Sequence, residues 1–265
     1  MVPKKIHFCW LSGEEYPPLI KNCLDTWKRV LPDYEIILWD TKRFDINSVS
    51  WVKEAFEAKK YAFAADYIRF FAIYTEGGIY LDSDVEMLKT FNPLLNHKSF
   101  VGFEAATEEV EAAIIGGEKG NEWCKKALEF YTDRHFTLNE IGNINPQYIA
   151  PIVLKNALSS LYDDFPQTPP SRELNVCNGA LIVCPSEYFS PIKYEKDKSY
   201  SSGKEIGKDY RKNKETYCIH RFNGAWASTP SRKLLMYEYL RKQLYKIIGK
   251  DIAEKILSIR RNILK

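Results

Sequence analysis

No two cysteines in this chain stand at Cys-x-x-Cys spacing. Its six, Cys9, Cys23, Cys124, Cys177, Cys184 and Cys218, are scattered over 265 residues. That pattern speaks against a structural zinc site and a dense disulfide framework, and fits cytosolic thiols. The chain also lacks Gly-x-Gly-x-x-Gly and the phosphate-loop lysine motif, so neither glycine-rich phosphate cradle is available. The start has no apolar signal core, and no stretch approaches the length of a membrane-spanning helix. A net charge of +3 is too small to point to nucleic acid as a partner. What is present is a globular composition, 45% hydrophobic and 14% aromatic, long enough for one large α/β domain. A soluble, cytoplasmic protein is expected.

The stretch that organises the chain is 61–86, Tyr-Ala-Phe-Ala-Ala-Asp-Tyr-Ile-Arg-Phe-Phe-Ala-Ile-Tyr-Thr-Glu-Gly-Gly-Ile-Tyr-Leu-Asp-Ser-Asp-Val-Glu. Residues 62–74 are apolar almost all round, which predicts a helix buried on most faces. Asp66 and Arg69 interrupt it at i and i+3, side by side on one face. Gly77 and Gly78 supply left-handed residues to end the helix, and 79–81 follows as a short buried strand. It runs directly into Asp82-Ser83-Asp84. Charges delivered to the ends of core elements need a partner or a task. Paired carboxylates opening off a strand attract a hard divalent cation, although a bare Asp-x-Asp is also compatible with a solvated turn. For Asp66 and Arg69 the plain alternative is an intrahelical salt bridge, which adds little if exposed.

Around this stretch, 5–10 predicts a first strand, 18–30 an amphipathic helix and 34–39 a second strand, the opening of a nucleotide-binding α/β layer. Trp10 stands at the first strand's end, where open α/β sheets bind ligands, as a base-stacking or a core residue. His7 reads as a satisfied core histidine. Further on, strands are expected at 100–103, 112–115, 181–184 and 216–220, and helices at 121–134 and 148–161. Residues 108–111 read as a polar loop. Gly116-Gly117 reads as a turn or a place where a ligand approaches the backbone, and 194–214 as a mobile surface segment. Two basic amphipathic helices fit 230–265, packed on the domain or lying on anionic membrane.

The runs Ala-Ala-Asp-Tyr-Ile-Arg-Phe and Gly-Gly-Ile-Tyr-Leu-Asp-Ser-Asp, with Val2-Pro3-Lys4-Lys5-Ile6-His7-Phe8-Cys9-Trp10, resemble glycosyltransferase family 32, the DXD-containing sugar transferases. That family includes α-mannosyltransferase-like and bacterial capsule-synthesis enzymes, and is distantly similar to the catalytic domains of glucosylating toxins. The similarity is dense over 1–105. Near the other end His220-Arg221-Phe222-Asn223-Gly224-Ala225-Trp226 resembles the family's His-x-x-Asn-Gly-x-Trp segment, with Arg221 where many members carry a second histidine.

The resemblance implies a GT-A-like α/β fold, a central mostly parallel mixed sheet flanked by helices, in a catalytic domain over 1–229 with the C-terminal helices after it. It implies a metal-dependent, retaining transfer of a hexose from a UDP- or GDP-sugar to a glycan acceptor, in capsular or surface polysaccharide synthesis. Mn2+ or Mg2+ would be held by Asp82, Asp84 and His220. Catalytic duty would fall to Asp66, Arg69, Asp82 and Asp84, and donor binding to Trp10, Asp66, Arg69, Tyr80, Asp82 and Trp226. Capsule-type acceptors are lipid-linked, so peripheral contact at the inner face of the membrane, through 230–265, is the accompanying expectation. A phosphodiesterase or nucleotidyltransferase, and an inactive sugar-nucleotide or glycan-binding module, are the competing classes.

Overall fold

A computed structural model describes residues 1–138, 145–191 and 213–223. Trp226, the boundary at 229, the helices expected over 230–265 and most of 194–214 lie outside the described residues.

Strand β1 (Lys5–Cys9) leads into helix α1 (Pro18–Val30), which has Pro18 in its first turn, where a missing N–H costs nothing. Its buried face is Ile20, Cys23, Thr26 and Trp27, and Lys28 and Arg29 occupy the last turn, favourable to the helix dipole. Strand β2 (Glu35–Trp39), helix α2 (Ser50–Glu57) and helix α3 (Tyr61–Glu76) follow. α3 buries nine of its side chains, including Asp66 and Arg69. Gly77 ends it at φ +68° and Gly78 stands at +120°. A side chain on Gly78 would meet the Lys5 carbonyl at 2.8 Å and His7 Nε2 at 3.0 Å. Glycine is therefore what lets strand β3 (Gly78–Leu81) pair closely with β1.

Strands β4 (Val85–Met87), β5 (Ser99–Phe103) and β6 (Val110–Gly117) come next, then α4 (Glu122–Phe130), α5 (Ala150–Leu161), β7 (Leu174–Val176), β8 (Leu181–Val183), the single turn α6 (Ser186–Phe189) and β9 (Cys218–His220). Seven strands form one sheet in the order β2-β1-β3-β6-β5-β8-β7. β6 and β7 run against the other five, so the sheet is mixed and mostly parallel in direction. This is the α/β class expected from the sequence, a central, mostly parallel mixed sheet flanked by helices. β4 and β9 pair antiparallel in a small separate sheet, Val85 opposite His220.

The main sheet separates two apolar layers. Ile68, Phe70 and Ile73 of α3 pack on one side with Trp51, Trp123 and Leu154. Trp27 of α1, Val85 and Met87 of β4, and Phe189 pack on the other. The two-residue period of a strand assigns β3 accordingly: Tyr80 joins the α3 side, Ile79 and Leu81 the α1 side.

Three expectations change. Glu111 is no loop residue; it lies inside β6, 1% exposed. Gly116 is neither a turn nor a ligand approach, because the Phe100 ring occupies the space of its missing side chain, 2.2 Å from where a Cβ would stand. The helix expected over 121–134 stops at Phe130. α2, β4, β7 and α6 are additional to the elements predicted.

Candidate metal and donor site

Asp82-Ser83-Asp84 is the bridge between the two sheets. Asp82 N–H still bonds the Ala113 carbonyl of β6 (2.9 Å), and a turn then closes from Val85 N–H to the Asp82 carbonyl (3.1 Å). The chain reverses sides within that turn, so the two carboxylates join different neighbourhoods.

Asp82 belongs to the α3 side, as alternation from Tyr80 requires. Tyr80 Oη donates to Asp82 Oδ1 (3.0 Å), and Arg69 Nη1 lies 3.6 Å from the same oxygen. Arg69 is buried: Nη1 donates to the Ala112 carbonyl (2.8 Å), Nη2 to Asp66 Oδ1 (2.6 Å), and the guanidinium lies 4.9 Å from the Tyr80 ring centre. Its Nε is buried with no hydrogen-bond partner among the described residues. Asp66 Oδ2 accepts the Ala150 N–H at the start of α5 (3.2 Å). Burial pushes the Asp66 carboxyl up to about 7, against the pull of Arg69. The intrahelical salt bridge offered as the plain alternative is present, and it is buried: the pair joins α3, α5, β6 and Asp82.

Asp84 belongs to the small sheet. α1 holds β4 in place, Trp27 Nε1 donating to the Val85 carbonyl (2.7 Å) and Thr26 Oγ1 accepting the Met87 N–H (2.9 Å). β9 then brings His220 beside Val85, with Nε2 3.5 Å from Asp84 Oδ1. The chain after β9 folds over Asp84, whose Oδ2 accepts the Asn223 N–H (2.7 Å). Phe222, at φ +47°, stacks on the His220 ring with centres 3.9 Å apart. The Arg221 side chain pairs with Glu86, and its N–H bonds the Asp84 carbonyl (3.1 Å).

One ligand atom each from Asp82, Asp84 and His220 lie within 4.8 Å of one another. Two carboxylates and an imidazole make a mixed oxygen and nitrogen set that suits manganese, and suits magnesium through its oxygens. The residues present thus fit a divalent cation. Burial raises the Asp84 carboxyl, tempered by His220. Burial alone would lower His220, but Glu111 and Asp84 override it and raise the imidazole to about 10.

Glu111 was missed by sequence reasoning. Its Oε2 is 3.3 Å from His220 Nδ1 and accepts from Ser190 Oγ, and its Oε1 accepts the Ala113 N–H (2.8 Å). Glu104, at the end of β5, is pushed to about 7 by burial and by Glu111. Only the alternation of Glu111 with the apolar run after it could have flagged an inward carboxylate. Trp10, by contrast, follows β1 with Nε1 bonded to the Glu14 carbonyl (2.8 Å) and its ring edge-on to Tyr16. His7 is a core histidine, bonded to the Gly77 carbonyl through Nε2 (2.8 Å) and accepting Trp39 Nε1–H at Nδ1 (3.0 Å).

Residues 17–101 match the family model described as "Glycosyltransferase sugar-binding region containing DXD motif". The chain is 31% identical over 127 residues to inositol phosphoceramide mannosyltransferase 3 of Schizosaccharomyces pombe, covering 45% of this chain and 34% of that one. It is 33% identical over 137 residues to a mannosyl phosphorylinositol ceramide synthase of Saccharomyces cerevisiae, covering 49% and 34%. The chain thus spans about a third of the length of the curated relatives it matches. Among solved structures it is similar to PaToxG Glycosyltransferase, at TM-score 0.46 and 22% identity over 60% of this chain and 70% of that one.

Proposed function

We propose that the chain is a metal-dependent retaining glycosyltransferase that moves a hexose from a nucleotide-diphosphate sugar to a glycan acceptor. The observation that carries this reading is the convergence of Asp82, Asp84 and His220 from two separate stretches within 4.8 Å, beside a buried Asp66–Arg69 clamp. A divalent cation in that set would offset charge on the departing diphosphate.

The protein's own groups prepare the site. Tyr80 and Arg69 fix Asp82, and the Asn223 amide and His220 fix Asp84, so neither carboxylate has to reorganise when a donor arrives. Arg69 Nε is a buried donor with no hydrogen-bond partner among the described residues. Asp66 already accepts one bond on each oxygen, yet each keeps a lone pair for a hydroxyl. Engaged on both oxygens, it is a recognition group and not a nucleophile. Retention then proceeds by front-face attack, with no general base assigned. Trp10 and Trp226 are assigned to base and diphosphate contact on the resemblance alone.

The names of the fungal relatives make mannose the first donor sugar to test and an inositol phosphoceramide lipid the first acceptor. A role in capsular or surface polysaccharide synthesis, and peripheral attachment at the inner membrane face through 230–265, complete the proposal. Among the described residues no helix is long and apolar enough to cross a membrane. The test is incubation with a panel of UDP- and GDP-sugars with and without manganese. Manganese-dependent donor hydrolysis or transfer supports the reading. Cleavage of phosphodiesters, or metal-independent binding without turnover, replaces it with one of the competing classes.

A further inference from the structure

A carboxylate taken out of water must be matched by charge or hydrogen bonds. Glu111 is more deeply buried than Asp66 or Asp84 and supplies none of the three candidate ligand atoms. Its position has a backbone cause. The pairing of β5 with β6 shifts register between Phe100 and Gly102, so Gly102 faces Glu111. Irregularities of this kind re-aim side chains. The backbone groups just after Glu111 are taken up individually: the Ala112 carbonyl by Arg69, the Ala113 N–H by Glu111 itself, and the Ala113 carbonyl by Asp82 N–H. One oxygen of Glu111 is thus anchored to its own strand. The other, steadied by Ser190 Oγ, is turned to His220 Nδ1.

A neutral imidazole has one N–H and one lone pair, whereas an ionised carboxylate only accepts. A ring that gives a lone pair to a cation from Nε2, the nitrogen facing Asp84, keeps its one proton on Nδ1, where Glu111 stands to accept it. We propose that Glu111 is a positioning residue: it sets the tautomer and angle of His220, so that Nε2 is the ligand atom offered to the cation. The inference rests on the metal site proposed above and adds to it the residue that presents the histidine. Phe222 stacked on the ring restricts the same rotation. Outer carboxylates of this type change metal affinity by roughly 10- to 100-fold when removed.

The test uses the full chain and Mn2+ itself. Free Mn2+ is counted by electron paramagnetic resonance during titration of wild type and Glu111→Gln. In parallel, ring 15N NMR of wild type loaded with Zn2+, a diamagnetic ion that imidazole ligates, reads which His220 nitrogen bears hydrogen. Glu111→Gln keeps the side-chain shape, and circular dichroism verifies its fold. The expected result is a loss of roughly 10- to 100-fold in Mn2+ affinity, with the wild-type proton on Nδ1. Affinity within twofold of wild type, or a proton on Nε2 in the loaded protein, overturns the inference while leaving the metal site standing. Failure of wild type to bind Mn2+ removes the site and the inference together. If Glu111→Gln does not fold, the tautomer of wild type decides.

Discussion

Replacing Arg69 by methionine measures what the buried clamp contributes. Arg69 and Asp66 side chains are 6% and 10% exposed and meet at 2.6 Å. At an effective dielectric of about 20, unit charges that close attract by about 6 kcal/mol before any desolvation. Removing one partner of a buried pair, and so leaving the other charge uncompensated, costs about 3–5 kcal/mol; an exposed pair costs only about 0–1 kcal/mol. The variant also strands the Ala112 carbonyl and leaves Asp82 without its cation. The expected loss at pH 8 is therefore about 3–5 kcal/mol. With m near 3 kcal/mol/M, that lowers the urea midpoint by about 1–1.7 M. The sign of the pH effect follows from Asp66, which burial already holds at about 7. Without Arg69 its folded value rises further, so the folded variant gains a proton that the unfolded chain does not hold until near its ordinary value of about 4. The variant's deficit should shrink as pH falls from 8 to 6. Adding Asp66→Asn removes the stranded charge and should restore about 1–3 kcal/mol. Urea unfolding followed by circular dichroism at both pH values gives all four numbers. A loss under about 1 kcal/mol at pH 8, or a double variant no more stable than Arg69→Met, refutes the reasoning.

Three other outcomes follow from the same geometry. Asp84→Asn keeps an oxygen for the Asn223 N–H but loses the charge; turnover with saturating manganese should fall by about 10²–10³-fold, with little change in melting, and an active variant would remove Asp84 from the cation site. Burial holds His7 below its usual value while its two ring nitrogens are fixed by Gly77 and Trp39. The unfolded chain therefore takes up the proton first, and stability should drop below pH ~6.5 by up to about 1.4 kcal/mol per pH unit. A wild-type minus His7→Gln difference that stays flat from pH 7.5 to 5 contradicts this. Gly78→Ala combines φ +120° with a 2.8 Å clash on the Lys5 carbonyl, for an expected cost of about 2–5 kcal/mol; a melting temperature within about 2 °C of wild type would mean that β1 and β3 separate freely.

Local chemistry carried much of this protein into view before any coordinates. The apolar circumference of α3, its glycine stop and the short β3 depend on neighbours a few residues away, and each was legible in 61–86. α1 was equally legible, because a helical stripe such as Ile20, Cys23 and Trp27 is a periodicity and not a partner. The three residues of β4 carry no such signal. They become a strand only because β9, more than a hundred residues later, supplies their hydrogen bonds. The cation site has the same origin: Asp82 and Asp84 were readable as a motif, and His220 through resemblance, but their approach to 4.8 Å depends on the two sheets meeting at that turn. Glu111 shows the limit most plainly. In sequence it follows the polar run Thr107-Glu108-Glu109 with only Val110 between, and the register shift beside it exists only once β5 and β6 have paired. Sequence determined α1, α3, α4 and α5, the main strands and the acidic motif, since these obey short-range rules. Tertiary structure alone decided which buried charge faces which, since that depends on pairing between distant strands.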